Sequence, residues 1–338
     1  MLAFTIRRVL IAIPIFFGIT IMTWLITTTN PDGGALQSYL GRGKTVSNQQ
    51  IAAIKHRLGL DQPLPVRYIY WMGNLFHGDL GKSIVTKHEV TRDFGERIGP
   101  TLLLGGIAFL LQELLAIPLG VFSAVRRGSV FDQVFTVISY ILFSLPTFWF
   151  GLMSIVIFGV FLGWFPFDGI IDLHANGGNS FGTAGYTAYF HAHTITALLD
   201  IARHLVLPVI VLGTVGMAGE SRFLRAQMLE VLNQDYVRTA KAKGASQRIV
   251  IWKHAVRNAL LPTVTNIGLS LPVLLGGAVV TEQIFTWPGM GQLYIKAATA
   301  QDYPTVIAFV VFIGTATLIA NILTDIAYGI VDPRIRLS

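Results

Sequence analysis

The stretch DQVFTVISYILFSLPTFWFGLMSIVIFGVFLGW, residues 132–164, decides the fold. It is apolar almost throughout and carries Pro146 in its interior. As one straight helix it would measure about 50 Å at 1.5 Å per residue, well beyond a hydrocarbon core of about 30 Å. Two readings follow: one kinked, tilted crossing, or two short crossings joined by a tight turn. The choice fixes the side of the membrane on which every later segment lies.

Charge separates the two. Short cytoplasmic segments of membrane proteins are rich in Lys and Arg, and short outer ones are not. With a single crossing at 132–164, four basic groups fall on the cytoplasmic side. They are Arg7/Arg8, Arg126/Arg127, Arg334/Arg336 and a long segment holding Arg222, Arg225, Arg238, Lys241, Lys243, Arg248, Lys253 and Arg257. The two short outer loops then carry only Arg203 and Lys296. Splitting the stretch would send the most basic segment outside. The kinked crossing is therefore the reading, and the expected crossings are 9–28, 101–124, 132–164, 204–219 (extending to about 223), 261–284 and 304–328. The fold class is all-α integral membrane with six transmembrane helices and both termini cytoplasmic. Its parts are a first helix (1–30), a small extracytoplasmic lobe (31–99) and a five-helix core (100–338) with a cytoplasmic loop at about 224–260.

Composition agrees. Of 338 residues, 53% are hydrophobic and 13% charged, where soluble domains average about 25% charged. Lipid must be the solvent for much of the surface. No cysteine is present, which excludes disulfides, thiol catalysis and Cys-based metal sites. The formal charge of +7 belongs to loops on anionic lipid rather than to a nucleic-acid surface. The first apolar run ends in Thr-Thr-Thr-Asn-Pro with no small-residue cleavage site, so it reads as an uncleaved helix, not a signal peptide.

Within the lobe, Ser47 and Gln50 form a capping box ahead of Ile51, Ile54 and Leu58. A second short helix at 66–76 is rich in aromatics, as at a membrane interface. Gly81-Lys-Ser83 invites a nucleotide-binding reading, but a P-loop needs glycine where Phe76 stands. No ATP hydrolysis is expected in this chain.

The basic segment reads as a helix, a Gly244 turn in the C-cap role, Ser246 as N-cap, and a second helix stopping near Pro262. Ala240, Ala242 and Ala245 keep the turn slim enough to enter a groove on another protein. Tyr236, Val237, Ile249, Ile251 and Trp252 need burial that headgroups supply poorly. From the residues alone, a partner-docking hairpin and a helix pair lying on lipid both stand.

Polar residues at membrane depth mark function by default. Gln112 and Glu113 fall in the second crossing, Glu220 at the inner end of the fourth, Asn266 in the fifth, and Asn321 and Asp325 in the last. Glu113 is expected to face a cavity or a partner. Near the inner face an ion-pair latch is expected among Glu220, Arg222 and Asp325, with Asp325 pairing Arg222 or Arg225 across the fourth and last crossings. His191 and His193, without nearby carboxylates, read as solvated side chains and not as a metal site.

The stretch Asp235-Tyr-Val-Arg-Thr-Ala-Lys-Ala-Lys-Gly244, continuing through His254-Ala-Val-Arg-Asn-Ala-Leu-Leu-Pro262, resembles the coupling loop of ABC importer permeases. It is similar in particular to the first, B-type subunit of the oligopeptide/dipeptide/nickel branch. The same likeness runs through Ile6-Arg-Arg, Leu58-Gly-Leu-Asp-Gln-Pro, Gly78-Asp-Leu-Gly-Lys-Ser83, Ala124-Val-Arg-Arg-Gly128 and Ser144-Leu-Pro146. It continues in Glu282-Gln-Ile-Phe-Thr-Trp-Pro-Gly-Met-Gly291, Asp302-Tyr-Pro304 and Asp332-Pro-Arg-Ile-Arg336. Arg238-Thr-Ala240 departs from the Glu-Ala-Ala of other importers. Asn30-Pro-Asp-Gly departs from the usual Pro-Gly-Asp-Pro.

The resemblance implies a type I importer fold in a bacterial or archaeal cytoplasmic (inner) membrane. It implies a homologous second permease, two ABC ATPases that use ATP and Mg, and an extracytoplasmic binding protein. No cofactor is bound by this chain itself. Tyr236, Arg238, Thr239, Ala240, Ala242, Gly244 and Ala245 would form the ATPase-coupling surface. Gln112, Glu113, Glu220, Arg222, Asn266, Asn321 and Asp325 would be pathway or inter-helix residues. Peptides are the expected cargo, with nickel complexes, glutathione or oligosaccharides as alternatives. A secondary transporter would show internal repeats, and neither the lobe nor the hairpin has a second copy. A membrane enzyme would show clustered catalytic groups, and Glu113 is isolated in the sequence.

Overall fold

The computed structural model describes residues 2–28, 62–263, 266 and 278–331. Among the described residues there are helices, turns and one isolated bridge between Lys82 and Glu89, and no strand. The helices are α1 (Leu2–Thr28), α2 (Leu64–Phe76), α3 (Val90–Val125), α4 (Val130–Ser144) and α5 (Thr147–Ser154), which runs on as a π-helix over Ile155–Phe161. Then come α6 (Ala184–Ala192), α7 (Thr194–Leu232), α8 (Asp235–Ala242) and α9 (Gln247–Ile249), which runs on as a π-helix over Val250–Val256. The last three are α10 (Val279–Ile284), α11 (Met290–Thr299) and α12 (Tyr303–Val331).

Helices α1, α3, α7 and α12 are each long and apolar enough to cross a membrane, and α4 with α5 passes the same test as a bent pair. The centre of the bundle is the pair α3–α7. The two helices touch through small residues: a Cβ on Gly213 would stand 3.1 Å from the Ala108 carbonyl oxygen, and one on Gly120 would stand 2.7 Å from that of Ser221. Between helices in lipid, where apolar burial gives no driving force, such close backbone approach is what van der Waals packing requires. Gly213 faces Ala108 and Leu224 faces Gly120, so the two helices run parallel. Helices α1 and α12 are antiparallel, since Gly314 lies against Ile19 and Asp325 against Arg8.

These contacts sort the chain into two ends. At one lie Arg8, Asp325, the Arg126–Ser129 turn and the base of α8 and α9, tied by a buried cluster of Val121, Ala124, Leu224, Met228, Ala255, Val256 and Ala259. At the other lie Ser83 against Asp302, and Val90 and Phe94 packed on Met290, Leu293 and Phe309. The most basic segment thus shares an end with the Arg8 and Arg126/Arg127 groups, as the charge reading expects.

The 132–164 stretch breaks at Leu145–Pro146, and its two halves meet at 97°. Pro146 has no N–H to give and disfavours helical geometry in the residue before it. Asp132 lies at the basic end beside Arg225, whereas Gly151 meets Ile284 and Phe285, and the Gly169 N–H donates to the Phe285 carbonyl. The stretch therefore passes once from one end of the bundle to the other.

Several boundaries differ from the sequence reading. The second and fourth crossings are parts of much longer helices, about 54 and 58 Å at 1.5 Å per residue. Hydropathy marks where a helix meets lipid, not where it ends in water. The segment 165–200 contains α6 and the start of α7. Most of the fifth crossing, 264–265 and 267–277, lies outside the described residues, as does the capping box at Ser47 and Gln50. Its expected end, α10, is a separate short helix.

The inner-face latch is a correction. Asp325 pairs with Arg8 at 3.1 Å, not with Arg222 or Arg225. Arg225 is held by Asp132, and Arg222 lies over the rings of Tyr140 and Phe143 at 4.7 and 4.3 Å. All of these groups share the inner end, but direction around each helix axis decides which of them meet. Because Arg8 is about half exposed, a cycle of Arg8→Gln and Asp325→Asn is expected to show coupling of only about 0.5 kcal/mol in detergent melts. Asp325→Asn with Arg225→Gln is expected to be additive.

Candidate coupling surface and intramembrane polar cluster

Helix α8 ends in a Schellman closure. Gly244, at φ +79°, donates its N–H to the Lys241 carbonyl, and Ala245 donates to that of Ala240. Those two bonds satisfy carbonyls that the helix end would otherwise leave open. The chain then extends through Ser246, which occupies the N-cap position of α9 without a side-chain capping bond. Arg238, Thr239, Ala242 and Gly244 are exposed at the tip, and Ala240 and Ala245 are half-buried beside them. Nothing lies within 4 Å of the space a Gly244 Cβ would fill.

The base of the hairpin is fixed where the tip is free. Val237 is fully buried, and Val250, Ala255 and Val256 join the cluster at the inner ends of α3 and α7 or sit beside it. Tyr236, Ile249 and Trp252 remain 43–47% exposed. The second helix continues through Pro262 to Thr263, past the expected stop, with π-helical turns before it.

Of the intramembrane polar residues, four come together. Gln112 donates to Glu113 at 3.0 Å, Glu220 lies within electrostatic range of Glu113, and Asn266 hydrogen-bonds Glu220 beside Thr263. One carboxylate oxygen of Glu113 and one of Glu220 are buried without a hydrogen-bond partner among the described residues. The other candidates stand apart: Arg222 over its two rings, and Asn321 and Asp325 on α12. His191 and His193 lie at the end of α6, His193 against the Tyr189 ring.

Residues 116–337 match the family described as binding-protein-dependent transport system inner membrane component, and residues 1–97 match its N-terminal companion. The chain belongs to this family of transport permeases. It is 41% identical to the oligopeptide transport system permease protein AppB of Bacillus subtilis, over 99% of this chain and 100% of that one. Identity is also 41% to the di/tripeptide transport system permease protein DppB of Pseudomonas aeruginosa, over 99% of each. To the dipeptide transport system permease protein DppB of Escherichia coli K12 it is 38%, over 99% of each. A permease of this family is a membrane transport component, not an enzyme.

Two elements of the permease escaped the site reading, although their motifs stand in the sequence. In Glu282-Gln-Ile-Phe-Thr-Trp-Pro-Gly-Met-Gly291 the glutamate is fully buried. It accepts from Thr101 at 2.8 Å and from the Gln292 N–H at 3.1 Å. Gly289 and Gly291 leave the socket, since a Cβ on either would strike the Glu282 carboxylate. Trp287, also fully buried, donates to the Pro100 carbonyl at 2.9 Å. The motif thereby clamps the start of α11 to α3. In the same way Gly78-Asp-Leu-Gly-Lys-Ser83 docks on Asp302-Tyr-Pro304: Ser83 and Thr305 both donate to the Asp302 carboxylate. The signal that could have found both was a lone acidic residue among glycines in an otherwise apolar neighbourhood.

Proposed function

We propose that this chain is one of two permease subunits of an ATP-driven importer of di- or oligopeptides and forms half of the pathway. It crosses the cytoplasmic membrane six times with both termini inside, beside a homologous second permease, two ATPases and an extracytoplasmic binding protein. The hairpin carries this reading: a slim, exposed tip closed by a left-handed glycine, on a base buried against α3 and α7. ATPase closure pulls the tip, and the bundle switches between inward- and outward-open states that bind the ATPase dimer and the loaded binding protein differently. Near full-length likeness to permeases named for peptide transport supports the cargo.

Reconstituted with its partner subunits in proteoliposomes, the permease is expected to take up labelled tripeptide only with ATP and binding protein. Uptake driven by a proton gradient without ATP would make it a secondary transporter. Orientation is read separately. In this cysteine-free chain, Gln247→Cys is expected to react with an impermeant maleimide only after the cells are permeabilised, and Lys82→Cys before. Labelling of position 247 in intact cells would invert the topology.

A further inference from the structure

Beneath the hairpin, where its base meets the basic ends of α3 and α7, lies a pocket of about 250 Å³. Its charged lining is Arg127, just past the end of α3, and Lys241 of α8, and no carboxylate lines it. Val125, Leu229, Leu232 and Ile251 give it an apolar wall. Lys241 follows the fully buried Val237 by one turn, on the face that α8 turns toward the bundle.

Both cations are exposed, and their side chains make no hydrogen bond or ion pair among the described residues. The acids nearby in the chain do not answer them. Asp132 is held by Arg225, Asp235 pairs with Arg238 at 3.5 Å, and Glu230 lies outside the lining.

The depth of the pocket follows from α3. Its run from Thr101 to Val125 carries one charge, Glu113. That run measures about 37 Å at 1.5 Å per residue, a little more than a hydrocarbon core of about 30 Å. Arg127 therefore stands in the headgroup layer. Trp252 is exposed at the same end, as an aromatic at a membrane interface is.

We infer that this pocket seats the headgroup of an anionic phospholipid, with its phosphate between Arg127 and Lys241 and its glycerol against the apolar wall. Guanidinium and ammonium both suit a phosphate oxygen, and neither group here has another partner. The apolar wall favours a lipid phosphate over a soluble one, since a free anion gains nothing from it. Basic pockets between helices at a membrane surface take anionic headgroups on the same grounds. Bound there, the lipid joins the hairpin to α3. The inference holds for any cargo and adds a lipid ligand to the import reading.

The test uses the transporter assembled with its partner permease and ATPases, in phosphatidylcholine nanodiscs holding a trace of photoreactive phosphatidylglycerol. Labelling mapped by peptide mass spectrometry is expected at Leu229, Leu232 and Ile251, and is expected to fall when unlabelled phosphatidylglycerol is added. Arg127→Gln with Lys241→Gln is expected to lower it at least tenfold, and Lys241→Arg to keep it. Arg248→Gln removes an exposed hairpin cation outside the pocket and is expected to change nothing. Because neither pocket cation is engaged, the double variant is expected to melt with the unmodified protein; if it does not, Arg127→Gln alone gives the reading.

Absence of labelling at the pocket overturns the site, as does labelling that survives loss of both cations. Equal labelling by photoreactive phosphatidylcholine removes the anion selectivity on which it rests. Displacement by inorganic phosphate would make it a site for a soluble anion, and equal loss in Arg248→Gln would reduce it to diffuse surface charge. If the double variant releases the ATPases and keeps the labelling, the two cations belong to the ATPase interface and the inference fails.

Discussion

Gly244→Trp is expected to abolish ATP-dependent uptake while the permease still inserts, folds and assembles with its partner permease. Position 244 holds φ +79°, and a tryptophan there costs about 1–3 kcal/mol of backbone strain. That strain falls at an exposed tip, away from the buried cluster that fixes the hairpin's base. Space is not limiting within this chain, because nothing stands within 4 Å of the new Cβ. The indole would obstruct only what approaches from outside. Gly244→Asn is the companion variant, since asparagine tolerates the left-handed region and is small. It is expected to retain most uptake. Normal uptake by the tryptophan variant would remove the tip from the coupling interface and leave the hairpin as a lipid-surface helix pair.

The second large effect concerns Asp132 and Arg225. Asp132 is 3% exposed, and its carboxylate accepts from the Ser123 hydroxyl, the Gly128 N–H, and Nε and Nη2 of Arg225 at 2.7 and 2.8 Å. Arg225→Gln strands that carboxylate and is expected to cost about 3–5 kcal/mol, lowering the melting temperature in detergent. Asp132→Asn with Arg225→Gln is expected to recover a substantial part, because no unpaired charge stays buried. Arg222→Gln, which removes a cation from two ring faces, is expected to cost only about 1 kcal/mol. Equal losses at Arg222 and Arg225 would mean that the bidentate pair does not hold α4 to α7.

Much of the architecture was legible because lipid imposes simple rules. Poverty in charge announced the membrane, and among the described residues Arg8, Arg126/Arg127 and the hairpin segment share one end. Charge pointed to a single passage of the 132–164 stretch, and Pro146 to its bend. The Gly244 turn was legible for a local reason: slim residues before a glycine that only a C-cap explains. What escaped depends on azimuth and long-range register. Asp132 and Arg225 are far apart in sequence, and nothing in either neighbourhood says that α4 and α7 turn those faces together. Asp325 was placed at the correct depth but given the wrong partner for the same reason. Gln112, Glu113, Glu220 and Asn266 were each visible as polar residues in apolar runs. The meeting of Glu113 with Glu220 follows from the parallel register of α3 and α7, which hydropathy does not encode. Glu282 was legible only as part of a family-like stretch, and the folded socket made by Gly289 and Gly291 explains it.

The glycine contacts between α3 and α7 also limit how the protein can change shape. With carbonyl oxygens of one helix seated where the other lacks side chains, neither sliding nor rolling is possible without backbone collision. Where those glycines meet, the two long helices travel together, the hairpin base riding on them. Any motion has to be taken up where the backbone is already irregular: the 97° elbow at Leu145–Pro146, and the widened turns at 155–161 and 250–256. The elbow and the 155–161 turns lie beside the middle of α7, and the 250–256 turns at the basic end of the pair. A displacement entering at the hairpin would therefore be carried toward the opposite end by both helices together, as it is along a connecting rod.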